Sequence, residues 1–215
     1  MKTLKYDPLN IVICGIGGQG NVLASELVAS TMTEMGYHVS VGETYGASQR
    51  GGSVMSHVRV SEKDELGVLI SHGEGNLIIG FEPLETLRIA REYSNPETVI
   101  LYDPRPVYPL GVLKGTQIYP PMEEIKSELR ALSAAAYEVP VAEITLEAGN
   151  SKSANIALLG AFSRMPGAPL SSEELREVLK TRFTGDALEM NLKAFDLGCK
   201  AIDDTRNANG QEDAK

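Results

Sequence analysis

The residues best suited to chemistry gather at three places along this 215-residue chain. The first is Gly15-Ile-Gly17-Gly18-Gln19-Gly20, whose Gly15-x-Gly17-x-x-Gly20 spacing satisfies the dinucleotide fingerprint. Without Cβ atoms, such a turn lets backbone N–H groups approach an anion, and a helix that follows directly sets its positive end beneath it. A diphosphate would fit; a tight turn needing glycine only for its dihedral angles is the other reading. The second place is Glu43-Thr-Tyr45-Gly46-Ala-Ser48-Gln49-Arg50-Gly51-Gly52. There the glycines permit close backbone approach, and Arg50 offers a bidentate fork to phosphate or carboxylate, unless it is a solvated arginine on a plain exposed loop. The third is Glu82, at the carboxyl end of an apolar run and just before a helix. That is where open α/β sheets collect ligand-facing side chains, although the same carboxylate would also favour the helix dipole.

Other reactive side chains carry less. His38 and His57 fall on strands and His72 lies in the glycine-rich turn His72-Gly-Glu-Gly75, so none is assigned catalysis. Cys14 and Cys199 have no C-x-x-C spacing, which leaves neither a disulfide framework nor a zinc or iron–sulfur site in this chain; both read as buried packing thiols.

The elements that must position these residues alternate. Asn10–Cys14 reads as a buried strand running into the glycine turn and then a helix over Asn21–Met35, closed by Gly36. Tyr37–Val41, Ser53–Val60, Asn76–Phe81, Thr98–Tyr102, Gly115–Tyr119 and Tyr137–Ala142 read as further strands. Pro83–Glu92 and Met122–Ser133 read as helices, and the last third is helical: Lys152–Met165, a helix after the capping box Ser171-Ser-Glu-Glu174, then Asp186–Asp204. Strands alternating with helices imply an α/β, Rossmann-like fold with a mainly parallel sheet covered on both faces. One domain over 1–204 is expected, with the polar 205–215 as a disordered tail.

Bulk properties narrow the partners. A formal charge of -9 argues against a phosphate-backbone binder, so nucleic acid is not expected. The apolar run Ile11–Cys14 is too short for a signal sequence or membrane span, and a cytoplasmic protein is expected. Glu43 stands about where a ribose-binding acid would sit in a nicotinamide site, which keeps a free-standing NAD(P)-binding protein open as an alternative.

Together the two glycine-rich motifs, Gly15–Gly20 and Gly42–Arg59, resemble the gamma-type domain of 2-oxoacid:ferredoxin oxidoreductases. Gly80-Phe-Glu-Pro-Leu-Glu85 and Ser153–Ala161 also look like family segments, so the similarity spans Leu9 to Asp204. The stretch Ser48–Val54 looks most like the small subunit of the indolepyruvate branch, although Tyr45 stands where that branch leads one to expect His. The resemblance implies an enzyme that decarboxylates a 2-oxoacid on thiamine diphosphate, passes electrons through iron–sulfur clusters to ferredoxin and releases an acyl-CoA. The sequence has no Gly-Asp-Gly segment with a following Asn and no cysteine set, so thiamine diphosphate, magnesium and 4Fe–4S clusters are expected in a large partner subunit. This chain is expected to hold no tightly bound cofactor and to be inactive alone. By the same resemblance, Gly15, Gly17, Gly18, Gln19 and Gly20 become candidates for the coenzyme A phosphates, with Tyr45, Gly46, Ser48, Gln49, Arg50, Gly51, Gly52 and Glu82 completing the expected site.

Overall fold

The computed structural model describes residues 3–45, 52–108, 110–116 and 118–208. Six strands, β1 (Leu9–Ile16), β2 (His38–Tyr45), β3 (Ser53–Ser61), β4 (Leu77–Gly80), β5 (Val99–Tyr102) and β6 (Ala135–Glu138), form one sheet in the order β2-β3-β1-β4-β5-β6. β1, β4, β5 and β6 run parallel, whereas β3 is antiparallel to both β1 and β2. The mainly parallel α/β sheet expected from the alternation is present, with β3 as its one reversed strand.

Alternation along the central strands divides the core into two layers. Ile11, Ile13, Leu77, Ile79, Val99 and Leu101 face one layer; Val12, Cys14, Ile78, Ile100 and Tyr102 face the other. The first layer is covered by α1 (Asn21–Glu34), α5 (Val141–Ala148), α6 (Ala154–Phe162), α7 (Ser172–Arg182) and α8 (Gly185–Ala208), the second by α2 (Pro83–Tyr93) and α4 (Met122–Ala131). A four-residue helix, α3 (Leu110–Leu113), lies between β5 and α4. Asn155 to Phe162 of α6 are all buried because the helix packs against β5, α1 and α8 together, which explains its apolar sequence ANIALLGAF. The helix α1 leads away to β2 on one face, while α2 leads to β5 on the other, so the crossover direction reverses at the carboxyl ends of β1 and β4. In open α/β sheets that is where ligands bind.

Several expected elements differ. Among the described residues Gly115–Tyr119 forms no strand, and Ile118 is 92% exposed. The strand expected over Tyr137–Ala142 is Ala135–Glu138, and α5 begins straight after Pro140. The helix expected from Lys152 opens as a 3-10 turn, Ser151–Ser153, before α6. The last helix continues past Asp204 to Ala208, and 209–215 lie outside the described residues.

Candidate functional site

The glycine turn closes β1 and opens α1. Gly15 and Ile16 remain in the ladder opposite Val54 and Ser53, so the first fingerprint glycine belongs to the strand, not to a ligand surface. The Gly17 N–H donates to the Gly52 carbonyl at 2.9 Å, tying the turn to the start of β3. The Gln19 side chain is spent holding the turn: Oε1 accepts from the Ile16 N–H at 2.7 Å, and Nε2 donates to the Phe81 carbonyl at 2.9 Å. Gly18 and Gly20 remain, with φ of 101° and 91°, a region that L side chains adopt only under strain. Gly20 is the N-cap of α1 and supplies no side-chain bond, and the first turn carries no acidic residue. The positive end of α1 is therefore uncompensated by any side chain of its own first turn.

A cavity of about 510 Å³ opens over this end, bounded by the turn, by Asp103 and Arg105 after β5, and by Lys152 and Asn155 at the start of α6. Asn155 is buried and presses on the turn, since a Cβ on Gly20 would lie 2.8 Å from its Nδ2. Its Oδ1 accepts from the Ile156 N–H at 3.0 Å. Asp103 is buried as well; Oδ1 accepts from the Arg105 N–H at 3.0 Å, and the Arg105 guanidinium stands 3.7 Å from Oδ2. Burial pushes the Asp103 carboxyl up to about 6, against the opposing pull of that N–H and of the Arg105 charge. Across the turn a second cavity, of about 490 Å³, is lined by Glu26, Tyr45, Val54 and Arg182.

The expected site residues thus part company. Gly18 and Gly20 face the first cavity, Gln19 borders it with its amide already committed, and Gly15 and Gly17 shape the turn from behind. Tyr45 is exposed at the second cavity and donates its hydroxyl to Glu43. Gly46, Ser48, Gln49, Arg50 and Gly51 lie outside the described residues, while the Gly52 carbonyl holds Gly17. Glu82 is a correction. It is buried, lines neither cavity, and caps α2 by accepting from the Glu85 N–H at 2.8 Å. Its other oxygen accepts from the Tyr119 hydroxyl at 2.5 Å and the Val107 N–H at 3.3 Å, so it anchors the segment after β5 rather than a ligand. Burial raises its pKa.

The sequence reading missed Asp103, Arg105, Lys152 and Asn155. Asp103 alone had a local signal, as the first polar residue past a buried strand.

The nicotinamide alternative loses its geometric basis here. With β3 inserted between β1 and β2, the end of β2 stands two strand spacings, roughly 10 Å, from β1. Glu43 instead meets Tyr45 and, at 3.4 Å, the Ser25 hydroxyl on α1. His57 is buried against Tyr93, with Nδ1 accepting from the Ile70 N–H at 3.3 Å, and burial lowers its pKa. His38 is exposed and His72 pairs with Glu92 on the surface, so no histidine reaches either cavity.

Among the described residues no group of three or more His, Cys, Asp or Glu side chains is placed to hold a metal ion. Cys14 and Cys199 lie in different layers, and burial raises both thiols, so they do not fit an iron–sulfur cluster. No helix among the described residues is long and apolar enough to cross a membrane.

A family model described as pyruvate ferredoxin/flavodoxin oxidoreductase matches residues 10–201. The chain belongs to this family. Relatives of this oxidoreductase chain include the indolepyruvate oxidoreductase subunit IorB of Pyrococcus horikoshii, 39% identical over 199 residues that cover 92% of this chain and 98% of that one. The same subunit of Thermococcus kodakarensis is 38% identical over 193 residues, 89% and 95% of the two chains. Among solved structures, the 2-oxoglutarate:ferredoxin oxidoreductase of Magnetococcus marinus, with 2-oxoglutarate, coenzyme A and succinyl-CoA bound, superposes with a TM-score of 0.69 at 25% identity. The match covers 93% of this chain and 32% of that longer one. The gamma subunit of a keto/oxoacid ferredoxin oxidoreductase from Geobacter sulfurreducens gives a TM-score of 0.64 at 21% identity over 90% of this chain and 98% of its own, a likeness of fold.

Proposed function

We propose that this chain is the small subunit of an indolepyruvate:ferredoxin oxidoreductase, and that its glycine turn receives the phosphates of coenzyme A. The observation that carries the site is the uncompensated positive end of α1, open to a cavity that also presents Arg105 and Lys152. Backbone N–H groups at Gly18 and Gly20, a helix dipole and two cations form a polyanion cradle. The IorB relatives support the branch, and the coenzyme A in the Magnetococcus marinus enzyme supports the ligand.

In this reading, a large subunit holds thiamine diphosphate, magnesium and 4Fe–4S clusters, which supply the decarboxylation and the electron path to ferredoxin. This chain's residues do the anchoring: the turn and the two cations fix the phosphate end, leaving the thiol arm to reach the partner. Holding a reactant in place this way converts encounter into position, the largest contribution open to a chain without reactive groups. The free thiols of Cys14 and Cys199 suit the reducing cytoplasm.

The test is reconstitution. The purified chain should be colourless and should not reduce viologen with indolepyruvate and coenzyme A. Added large subunit should restore coenzyme A-dependent reduction. Turnover by this chain alone would sink the proposal.

A further inference from the structure

Nineteen residues, 103–121, connect β5 to α4 and include only the four-residue α3. Connections longer than about 12–15 residues are uncommon in compact domains, and ordered ones are as a rule functional. Three of the eight large apolar side chains exposed among the described residues stand on this one: Tyr108 at 51% exposure, Leu113 at 69% and Ile118 at 92%. Its composition also departs from that of the chain. Residues 104–121 hold no Asp or Glu in a protein with 29 of them and a formal charge of -9, and they carry five of its eleven prolines.

The connection is pinned at two points. Glu82 is buried, and one of its carboxylate oxygens accepts from both the Val107 N–H at 3.3 Å and the Tyr119 hydroxyl at 2.5 Å. These anchors bracket 108–118 and bring its two ends to a single atom. The Tyr108 ring meets the Tyr119 ring edge-on, with centroids 5.1 Å apart. This is the geometry of an Ω-loop, a surface loop whose ends meet. Burying a carboxylate is unfavourable unless its oxygens are bonded, and here one of the two serves only to close a loop that presents apolar side chains to solvent. Proline and the shared anchor fix the loop before any partner arrives, which removes ordering cost from association.

A single exposed leucine calls for no explanation. A closed, acid-free loop carrying an aromatic ring and two aliphatic side chains has the make-up of an interface core, where Tyr is enriched and Asp and Glu are depleted. Its position says what approaches it. The loop follows directly on Arg105, which lines the cavity over the glycine turn, so whatever receives the outer end of a ligand held there meets the loop at the cavity's rim.

We propose that the loop 108–118, closed on Glu82, is the docking arm for the large subunit, with Leu113 and Ile118 inserted into an apolar surface of that partner. This rests on the chain being the small subunit of a two-subunit oxidoreductase.

The experiment is calorimetric titration of the full-length large subunit with the full chain, beside thermal melts of each variant. Leu113→Asp and Ile118→Asp should each weaken association by more than about tenfold, about 1.4 kcal/mol, and leave Tm unchanged because both side chains already stand in water in the free chain. Leu146→Asp is the control. That leucine is 84% exposed on α5, outside the loop, so the same added charge there should change the affinity by less than about twofold. Wild-type affinity in both loop variants would overturn the proposal, and so would an equal loss in Leu146→Asp, which would report charge repulsion alone. Sedimentation of the isolated chain tests for a second copy on the loop: a dimer that Ile118→Asp dissociates, with the affinity for the large subunit unchanged, would also overturn the proposal. If the wild-type chain does not bind the large subunit at all, the small-subunit reading falls, an outcome distinct from normal binding by every variant.

Discussion

Gly18→Val separates the two roles of the glycine turn. Gly18 has φ 101°, and a Cβ built on it meets no atom within 4 Å. The backbone effect is the cost of holding an L side chain in the left-handed region, about 1–2 kcal/mol. For a chain of this length that lowers Tm by roughly 2–8 °C. No packing penalty adds to it, since the methyl groups meet only the space shared by the two cavities. That space is where a diphosphate must sit to reach the Gly18 and Gly20 N–H groups. Losing one hydrogen bond to a charged oxygen costs about 1.5–3 kcal/mol, so KM for coenzyme A in the assembled oxidoreductase should rise about tenfold or more. Gly18→Ala should show a similar Tm and a smaller rise. The assay is steady-state reduction of viologen at varied coenzyme A, with thermal melts of the isolated chain alongside. A folded valine variant with wild-type KM would refute the reasoning.

Asp103 offers a pH test. Its folded carboxyl is pushed up from 3.8 to about 6, so the folded state holds that proton more tightly than the unfolded chain. The resulting stability is present below about pH 4 and lost as pH rises through about 6. Asp103→Asn should therefore be more stable than wild type by about 1–3 kcal/mol at pH 8, with the gain shrinking toward pH 4 in denaturant titrations; an identical difference at both pH values would contradict the burial argument. Gly160→Ala tests the α6–α8 packing: its Cβ would stand 2.0 Å from the Phe195 carbonyl oxygen, and overpacking of about 1–3 kcal/mol or more should lower Tm by at least several degrees. Arg50→Ala and Arg50→Lys should each depress activity of the complex by more than about tenfold with the melting temperature nearly unchanged, if Arg50 binds in fork geometry. Wild-type kinetics in the alanine variant would make it an ordinary solvated side chain.

What the sequence disclosed was local, and what it hid was pairing. Ile11–Cys14 running into Gly15–Gly20 announces strand, turn and helix because each residue obeys its own neighbourhood. The alternation Val54, Val58, Val60 marks β3 as a strand, but nothing in it says that β3 runs antiparallel between β1 and β2. That insertion is what removes Glu43 from the glycine turn. Gly115–Tyr119 looked like a strand because Ile and Tyr favour sheets, yet its described residues pair with no strand and Ile118 is exposed. Asp103, Lys152 and Asn155 line the cavity over Gly20 because β5 lies beyond β4 in the same sheet and α6 packs against β5 and α1, across separations no motif spans. Glu82 was legible as a carboxylate favouring the helix dipole, but its bonds to Val107 and Tyr119 were not.

The most direct measurement is amide hydrogen exchange on the assembled complex with and without coenzyme A. Coenzyme A should slow exchange at Gly18, Gly20 and the first turn of α1, and around Lys152–Asn155 on the opposite wall, with β2 unaffected. Saturating coenzyme A that supports turnover while exchange at the glycine turn stays unchanged would contradict the account.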